Sequence, residues 1–253
     1  MKISNSLPQS PVLFAEGSYG KLYLTYDCLT NKLILIKHIK NTNALNEAYI
    51  QSRISHPLII KLYWVKILND HELILGLEYF NNLSLEDYIQ HKEIFTEKSI
   101  FKIFRQLVDV TRYLHSINIV HGDIKTDNIL VDSDFNIKLC DFGFSKEIQK
   151  GDMIKDLRGS LFYYPPELIH KKIYDGKKAD IWCLGIVLYT LICGNPPSRD
   201  DKLSVIFSSK IKNNSELYTM ILGMLNPEFK QRWGLEEIDV CKWYKNMKEK
   251  YKK

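Results

Sequence analysis

A chain of 253 residues, 45% hydrophobic and 26% charged, is long enough for one two-lobed domain and too apolar for wholesale disorder. Its net charge of +5 is spread along the sequence, which argues against a nucleic-acid partner. The five cysteines, Cys28, Cys140, Cys183, Cys193 and Cys241, are scattered and odd in number, which excludes a disulfide framework or a zinc ribbon and suits a reducing compartment.

Met1 to Phe14 is polar and lacks the apolar stretch of a signal peptide. Val12 to Asp27 and Lys32 to Ile39 are runs of apolar and aromatic residues joined by a polar turn at Asp27 to Asn31, and they predict antiparallel strands. Leu45 to Ile54 has helical spacing, and His71 to Tyr79 predicts two further strands or one bent pair. From Ser84 onward the period is mostly helical. Glu97 to His115 places Ile100, Phe101, Ile103, Phe104, Leu107, Val110 and Leu114 on one broad stripe, the core face of a long helix. Two strand-like runs follow, Ile129 to Asp132 and Ile137 to Cys140, then an irregular stretch from Phe142 to Glu167, then helices to the end. The longest apolar run, Ile181 to Cys193, has thirteen residues; it is too short to span a bilayer and predicts a buried helix. A strand-rich small lobe followed by a helical large lobe is an α+β architecture, with a ligand cleft expected between the two. The absence of targeting signals predicts the cytoplasm or the nucleus.

Between two strand-like runs lies Ala15-Glu16-Gly17-Ser18-Tyr19-Gly20-Lys21-Leu22. Its glycines suit either a plain hairpin turn or a backbone that approaches phosphate oxygens closely. Lys37 ends the apolar run Leu33 to Ile36 and is either a solvated strand end or a cation aimed into the cleft. The most informative segment is Ile119 to Leu130, where Asp123, Lys125 and Asn128 crowd a short loop, and Asp141-Phe142-Gly143 follows eighteen residues after Asp123. Two acids, a lysine and an amide fit a site for divalent metal and polyphosphate, because Mg²⁺ prefers oxygen ligands and leaves room for substrate phosphates. Either acid alone would read as a turn or cap residue; the joint order and spacing would not.

That order resembles the eukaryotic protein kinases over essentially the whole length: Gly-rich loop, Lys37, His121-Gly122-Asp123 with Asn128, Asp141-Phe142-Gly143, Pro165-Pro166-Glu167 and Asp180-Ile181-Trp182. Within them, Asp141 to Thr190 looks most like the AMP-activated and microtubule-affinity-regulating branch of the calcium/calmodulin-dependent group, and the Asp123-x-Lys125 pair is the serine/threonine pattern. The resemblance implies a single two-lobed domain over 1–253, with 1–80 as small lobe and hinge and 81–253 as large lobe. It implies ATP with Mg²⁺ or Mn²⁺, protein substrates with Ser or Thr acceptors, and a monomer. Lys37 is implied to contact the α- and β-phosphates and to pair with Glu47; Asp123 to accept the proton of the substrate hydroxyl; Lys125 to steady the γ-phosphoryl group; Asn128 and Asp141 to hold the metal. Ala15 to Leu22 would cover the nucleotide, the backbone of Glu78 and Phe80 would bond adenine, Leu130 would belong to the same pocket, and Leu77 would guard its back. Glu167 with Arg232, and Asp180, are implied to be structural.

The departures are as informative as the matches. Ala15 replaces the first glycine of the loop, Leu35 adds bulk where adenine should pack, and Gln51 puts a polar group where an apolar one usually meets Phe142. Gly122 replaces the arginine that in relatives receives the activation-loop phosphate, and Asp156 stands where the phosphothreonine would be; losing both together predicts activation without loop phosphorylation. Leu35, Gln51 and Gly122 favour a pseudokinase scaffold, which the intact Lys37, Asp123, Asn128 and Asp141 oppose. A small-molecule phosphotransferase is disfavoured by Pro165-Pro166-Glu167 and the Tyr174 to Asp180 segment, which resemble the peptide-binding platform of protein kinases. Asp127 could favour basic peptides, whereas Asp200-Asp201 is read as an exposed turn and the helix after Pro197 as shortened. The sequence stops soon after the last helix, at Lys242 to Lys253, so no regulatory domain is expected, and those lysines are read as a solvated helix end.

Overall fold

The structure is a computed structural model that describes residues 2–3, 11–17, 20–28, 31–40, 44–69, 71–91, 95–149, 151–155, 161–170, 173–200 and 204–252, with backbone alone at 2–3, 16–17, 20 and 170. The small lobe is a six-stranded sheet with one helix. Its strands are β1 (Lys2–Ile3), β2 (Val12–Gly17), β3 (Gly20–Asp27), β4 (Lys32–Lys40), β5 (Leu62–Asn69) and β6 (Glu72–Glu78), in the order β1-β5-β6-β4-β3-β2, with helix α1 (Ala44–Arg53) between β4 and β5. Strand period decides which side chains reach the cleft. Along β4, Ile34 and Ile36 point to one face, where they pack with Trp64 and Ile74, while Leu35 and Ile39 pack against α1 and the lobe interface on the other. Lys37 shares the face of Leu35, so alternation alone turns it toward the cleft.

The large lobe begins with β7 (Leu83–Ser84), α2 (Leu85–Gln90) and α3 (Glu97–Ser116). Thr96 caps α3 by accepting the Ser99 N–H, and the predicted stripe is buried apart from Ile100, which lies at its edge. Strands β8 (Ile119–Val120), β9 (Ile129–Val131), β10 (Ile137–Leu139) and β11 (Lys146–Glu147) frame the loops of interest; β9 pairs with both β10 and β7, and β8 pairs with β11. Beyond them come α4 (Pro166–His170), α5 (Gly176–Cys193), β12 (Ser198–Arg199), β13 (Val205–Ile206), α6 (Ser209–Lys212), α7 (Ser215–Met224), α8 (Leu235–Val240) and α9 (Lys242–Lys250). Helix α5 is apolar all round because it is the axis of the lobe: Ile181 to Leu191 is buried throughout. Among the described residues no helix is long and apolar enough to cross a membrane.

Three sequence expectations need correction. His71 to Tyr79 is one strand, not two, and its neighbour β5 was not expected at all. Bulges at Leu62/Trp64 and Ile67/Asn69 break the two-residue period of β5, which erases the signal used to find strands. The pairs β11, β12 and β13 are too short to show any period. The basic end is not a solvated tail: α9 buries Trp243, Tyr244 and Met247, and its Lys242 and Lys250 pair with Glu216 and Glu97. Helix α6, at four residues, is as short as expected.

Candidate active site

A cavity of about 310 Å³ opens between the lobes. Leu22, Leu35, Ile60, Leu77, Phe80 and Leu130 give it apolar walls, and Lys37, Glu47, Asn128 and Asp141 give it a charged end. This division suits a ligand with a flat apolar part and a strongly anionic part. Leu35 lines the wall as its position on β4 requires. The polar Gln51, flagged by sequence as a cost unless paired, is buried and its Nε2 donates to the Ile60 carbonyl at 3.3 Å, which offsets part of that cost.

At the charged end, Lys37 Nζ lies 2.8 Å from Glu47 Oε1 and 2.8 Å from Asp141 Oδ1. Burial pulls the Lys37 ammonium down, but the charges of Glu47 and Asp141 and their hydrogen bonds outweigh it and hold the group above the usual lysine range. Burial raises the Glu47 carboxyl despite Lys37. Asp141 goes the other way: burial opposes ionisation, yet Lys37, His121 and the Gly143 N–H hold it below the ordinary carboxylate range. The site therefore keeps a negative oxygen beside a fixed cation, which is what a metal-bound phosphate chain requires. Cys140 lines the same cavity with its thiol pushed up to about 12 by burial and the Asp141 charge, so it serves as wall, not nucleophile.

The loop below is held by its own residues. Asp123 Oδ2 is 3.0 Å from Lys125 Nζ, and Asn128 Nδ2 donates to the Asp123 carbonyl at 2.9 Å and to Oδ2 at 3.0 Å. The Asn128 NH₂ is thus committed, which leaves its amide oxygen for a cation. Among the described residues no group of three or more His, Cys, Asp or Glu could hold a metal alone, so a cation at Asn128 and Asp141 has to share its ligands with a phosphate.

Asp180, 1% exposed on α5, anchors this loop from beneath: it accepts the His121 and Gly122 N–H groups at 3.0 Å each and bonds His115 at 2.9 Å. The two amides can converge on one carboxylate because Gly122 takes φ +77, and a Cβ there would lie 2.7 Å from the Phe144 carbonyl oxygen. Gly122→Ala should therefore cost about 1–2 kcal/mol, the usual penalty of the left-handed region, read as a lower urea midpoint. An unchanged midpoint would show that the Phe144 backbone yields freely.

Helix α1 is tied to the segment after Asp141. Asn46 Nδ2 donates to the Ser145 carbonyl at 3.1 Å, and Arg53 Nη1 meets Glu147 Oε2 at 2.5 Å. Glu47 sits on the same helix, so these ties hold it toward Lys37. In the large lobe Glu167 and Arg232 form a two-pronged buried pair at 2.7 and 2.8 Å, structural as expected.

The structure thus brings together Lys37, Glu47, Asp123, Lys125, Asn128 and Asp141. Glu78 and Phe80 line the cavity; Glu78 Oε2 is held by Lys138 at 2.8 Å and the Lys61 N–H at 3.0 Å, and the Glu78 N–H donates to the Lys61 carbonyl at 2.8 Å, so the backbone group of Glu78 open to a ligand is its carbonyl. Ala15 and Leu22 line the mouth; Glu16 and Gly17 end β2 and Gly20 opens β3, with Gly17 opposite Gly20 and Lys21 opposite Glu16. Ser18, Tyr19, Asp156, Arg158, Ser160 and Asp201 lie outside the described residues. Asp200 is exposed and accepts the Ser204 N–H at 2.8 Å, the turn role expected of it. Sequence reasoning missed Glu86, Thr126 and Tyr163, which meet beside the loop.

The protein kinase domain family matches residues 13–244. The probable serine/threonine-protein kinase MARK-C of Dictyostelium discoideum is 33% identical over 246 residues, 90% of this chain and 32% of that protein. The carbon catabolite-derepressing protein kinase of Saccharomyces cerevisiae is 36% identical over 251 residues, 91% of this chain and 39% of that protein. Its namesake in Secale cereale is 35% identical over 205 residues, 78% and 40% of the two chains. The chain spans about a third to two fifths of the length of these relatives.

Proposed function

This chain belongs to the protein kinase domain family, and from that membership we propose that it transfers the γ-phosphoryl group of ATP to serine or threonine hydroxyls of protein substrates. The observation that carries the reading is Lys37 held between Glu47 and Asp141, at 2.8 Å from each, at the charged end of an apolar cavity. We read residues 1–253 as one domain that divides near residue 80. The apolar walls receive the base, with backbone groups of Glu78 and Phe80 at its edge, and the Ala15 to Leu22 hairpin covers the phosphates. Lys37 positions the α- and β-phosphates. Asn128 and Asp141 hold a divalent cation, Mg²⁺ or Mn²⁺, which neutralises charge that develops on the β- and γ-phosphates. Asp123 orients the substrate hydroxyl and accepts its proton, and Lys125, 3.0 Å from that carboxylate, steadies the transferring group.

A radiolabelled-ATP assay on a mixed peptide library tests the reading. Label on serine and threonine, lost in chelator and restored by Mg²⁺ or Mn²⁺, is expected; no label on any peptide would overturn it.

Control follows from the same geometry. The reading of activity without a loop phosphate is supported by the loop amides that Asp180 holds and by the ties of Asn46 and Arg53 on α1. Each tie alone is weak because water screens it, yet both act on one helix. Bacterially expressed protein treated with phosphatase should keep more than half of its initial rate. A fall to a few per cent, reversed by an upstream kinase, would place the switch on another Ser, Thr or Tyr of the loop.

A further inference from the structure

Thr126 opens the short 3₁₀ turn Thr126–Asn128 and is fully buried, directly after Lys125 and two residues before Asn128. Its Oγ1 lies 2.6 Å from Glu86 Oε2 and 2.9 Å from the Tyr163 hydroxyl, and its backbone N–H donates to that same hydroxyl at 3.3 Å. Two hydroxyl protons and one amide N–H serve this set. A carboxylate only accepts, so the Thr126 proton goes to Glu86; Tyr163 then donates to Thr126 Oγ1 and takes the Thr126 N–H on a lone pair. Every donor has an acceptor, and the other Glu86 oxygen takes Gln90 Nε2 at 3.0 Å. Burial raises the Tyr163 phenol, which keeps it a donor.

The three partners come from three places. Glu86 is in the first turn of α2, Thr126 is in the loop that carries Asp123 and Asn128, and Tyr163 ends the short turn Leu161–Tyr163 that leads into Pro165-Pro166-Glu167. Asp123 and Tyr163 also border one small cavity. On the kinase reading a substrate hydroxyl sits over Asp123, and its flanking residues run past this cavity, which Tyr163 borders. The relative placement of these two surfaces therefore decides whether the hydroxyl meets the carboxylate, and a misplacement of about 1 Å is worth roughly 10²-fold in rate.

We propose that Thr126 is a positioning residue: its hydroxyl, clamped between Glu86 and Tyr163, fixes the turn carrying Asp123 and Asn128 relative to the substrate-bearing segment at 161–163. The proposal rests on the kinase reading for its rate effect, but the clamp itself has a readout that needs no activity. It predicts that the clamp acts on turnover and not on nucleotide affinity, because none of its three side chains borders the apolar walls of the nucleotide cavity.

The test compares Thr126→Val, Thr126→Ser, Glu86→Gln and Tyr163→Phe in the full chain. Thr126→Val should lower kcat about 10- to 100-fold with KM for ATP within twofold of wild type, and Thr126→Ser should restore kcat to within about threefold. Thr126→Val combined with Tyr163→Phe should be no slower than Thr126→Val alone, because one broken clamp cannot be broken twice. Hydrogen exchange of amides 123–129 should accelerate at least tenfold in Thr126→Val and remain near wild type in Thr126→Ser. A folded Thr126→Val with wild-type kcat and exchange overturns the proposal, as does a serine variant that fails to rescue. If Thr126→Val does not fold, Tyr163→Phe must show the same kcat loss at unchanged KM for ATP, and a wild-type rate there also overturns the clamp. A wild-type protein that labels no peptide defeats the kinase reading instead, and the exchange data alone then decide the clamp.

Discussion

Asp141→Asn is expected to cut phosphoryl transfer by about 10³-fold or more while the protein stays folded. The substitution preserves shape and removes charge. It also respects the backbone, because Asp141 lies at φ 63 and asparagine tolerates the left-handed region about as well as aspartate. Lys37, shared now between two carboxylates, would keep Glu47 at 2.8 Å as a balanced pair, so the small lobe loses no buried counter-charge. What is lost is the carboxylate that Lys37, His121 and the Gly143 N–H hold below the ordinary carboxylate range. Initial rates with radiolabelled ATP measure the effect, and circular dichroism confirms the fold. A rate within tenfold of wild type would mean that the cation is held elsewhere. Asp123→Ala should fall as far in turnover yet keep ATP binding, since that carboxylate acts on the hydroxyl nucleophile.

The largest loss of stability is expected far from the cleft, from Glu167→Ala. The Arg232 guanidinium is completely buried, its two terminal nitrogens bound to the two Glu167 oxygens and its plane 4.9 Å from the Trp182 ring. Removing the acid strands a buried cation, which typically costs about 3–5 kcal/mol. For a domain of this size that corresponds to a fall in Tm of roughly 10 °C. Replacing both partners, as Glu167→Leu with Arg232→Met, should recover most of the loss because no orphan charge remains. Differential scanning fluorimetry on the single and double variants decides this; equal losses in both would point to packing around Trp182 and not to charge.

How much of this was readable beforehand depends on how local each feature is. Lys37 reaches the cleft because of the two-residue period of one strand, and Asp123 and Asn128 meet because five positions of one loop bring them together, so sequence spacing revealed both. The Glu86–Thr126–Tyr163 clamp joins residues 40 and 37 positions apart, each unremarked in its own segment, and no local pattern could announce it. Gln51 shows the same limit from the other side. Sequence marked Gln51 as a polar group that needs a partner, but that partner, the Ile60 carbonyl, lies just ahead of β5, the strand whose bulges hid it.

Gly122 has a consequence on an evolutionary timescale. A glycine codon is one base change from arginine, so the phosphate receptor seen in relatives looks easy to regain. The backbone makes that step costly when taken alone: the new side chain would enter a left-handed conformation with its Cβ pressed on the Phe144 carbonyl oxygen. It would also find no phosphate at position 156, where the sequence has aspartate. Return to a phosphorylation-gated enzyme therefore requires two substitutions, the first of which is harmful without the second. If the loop works without a phosphate, as proposed, a lineage that crosses this point has to evolve control at other surfaces.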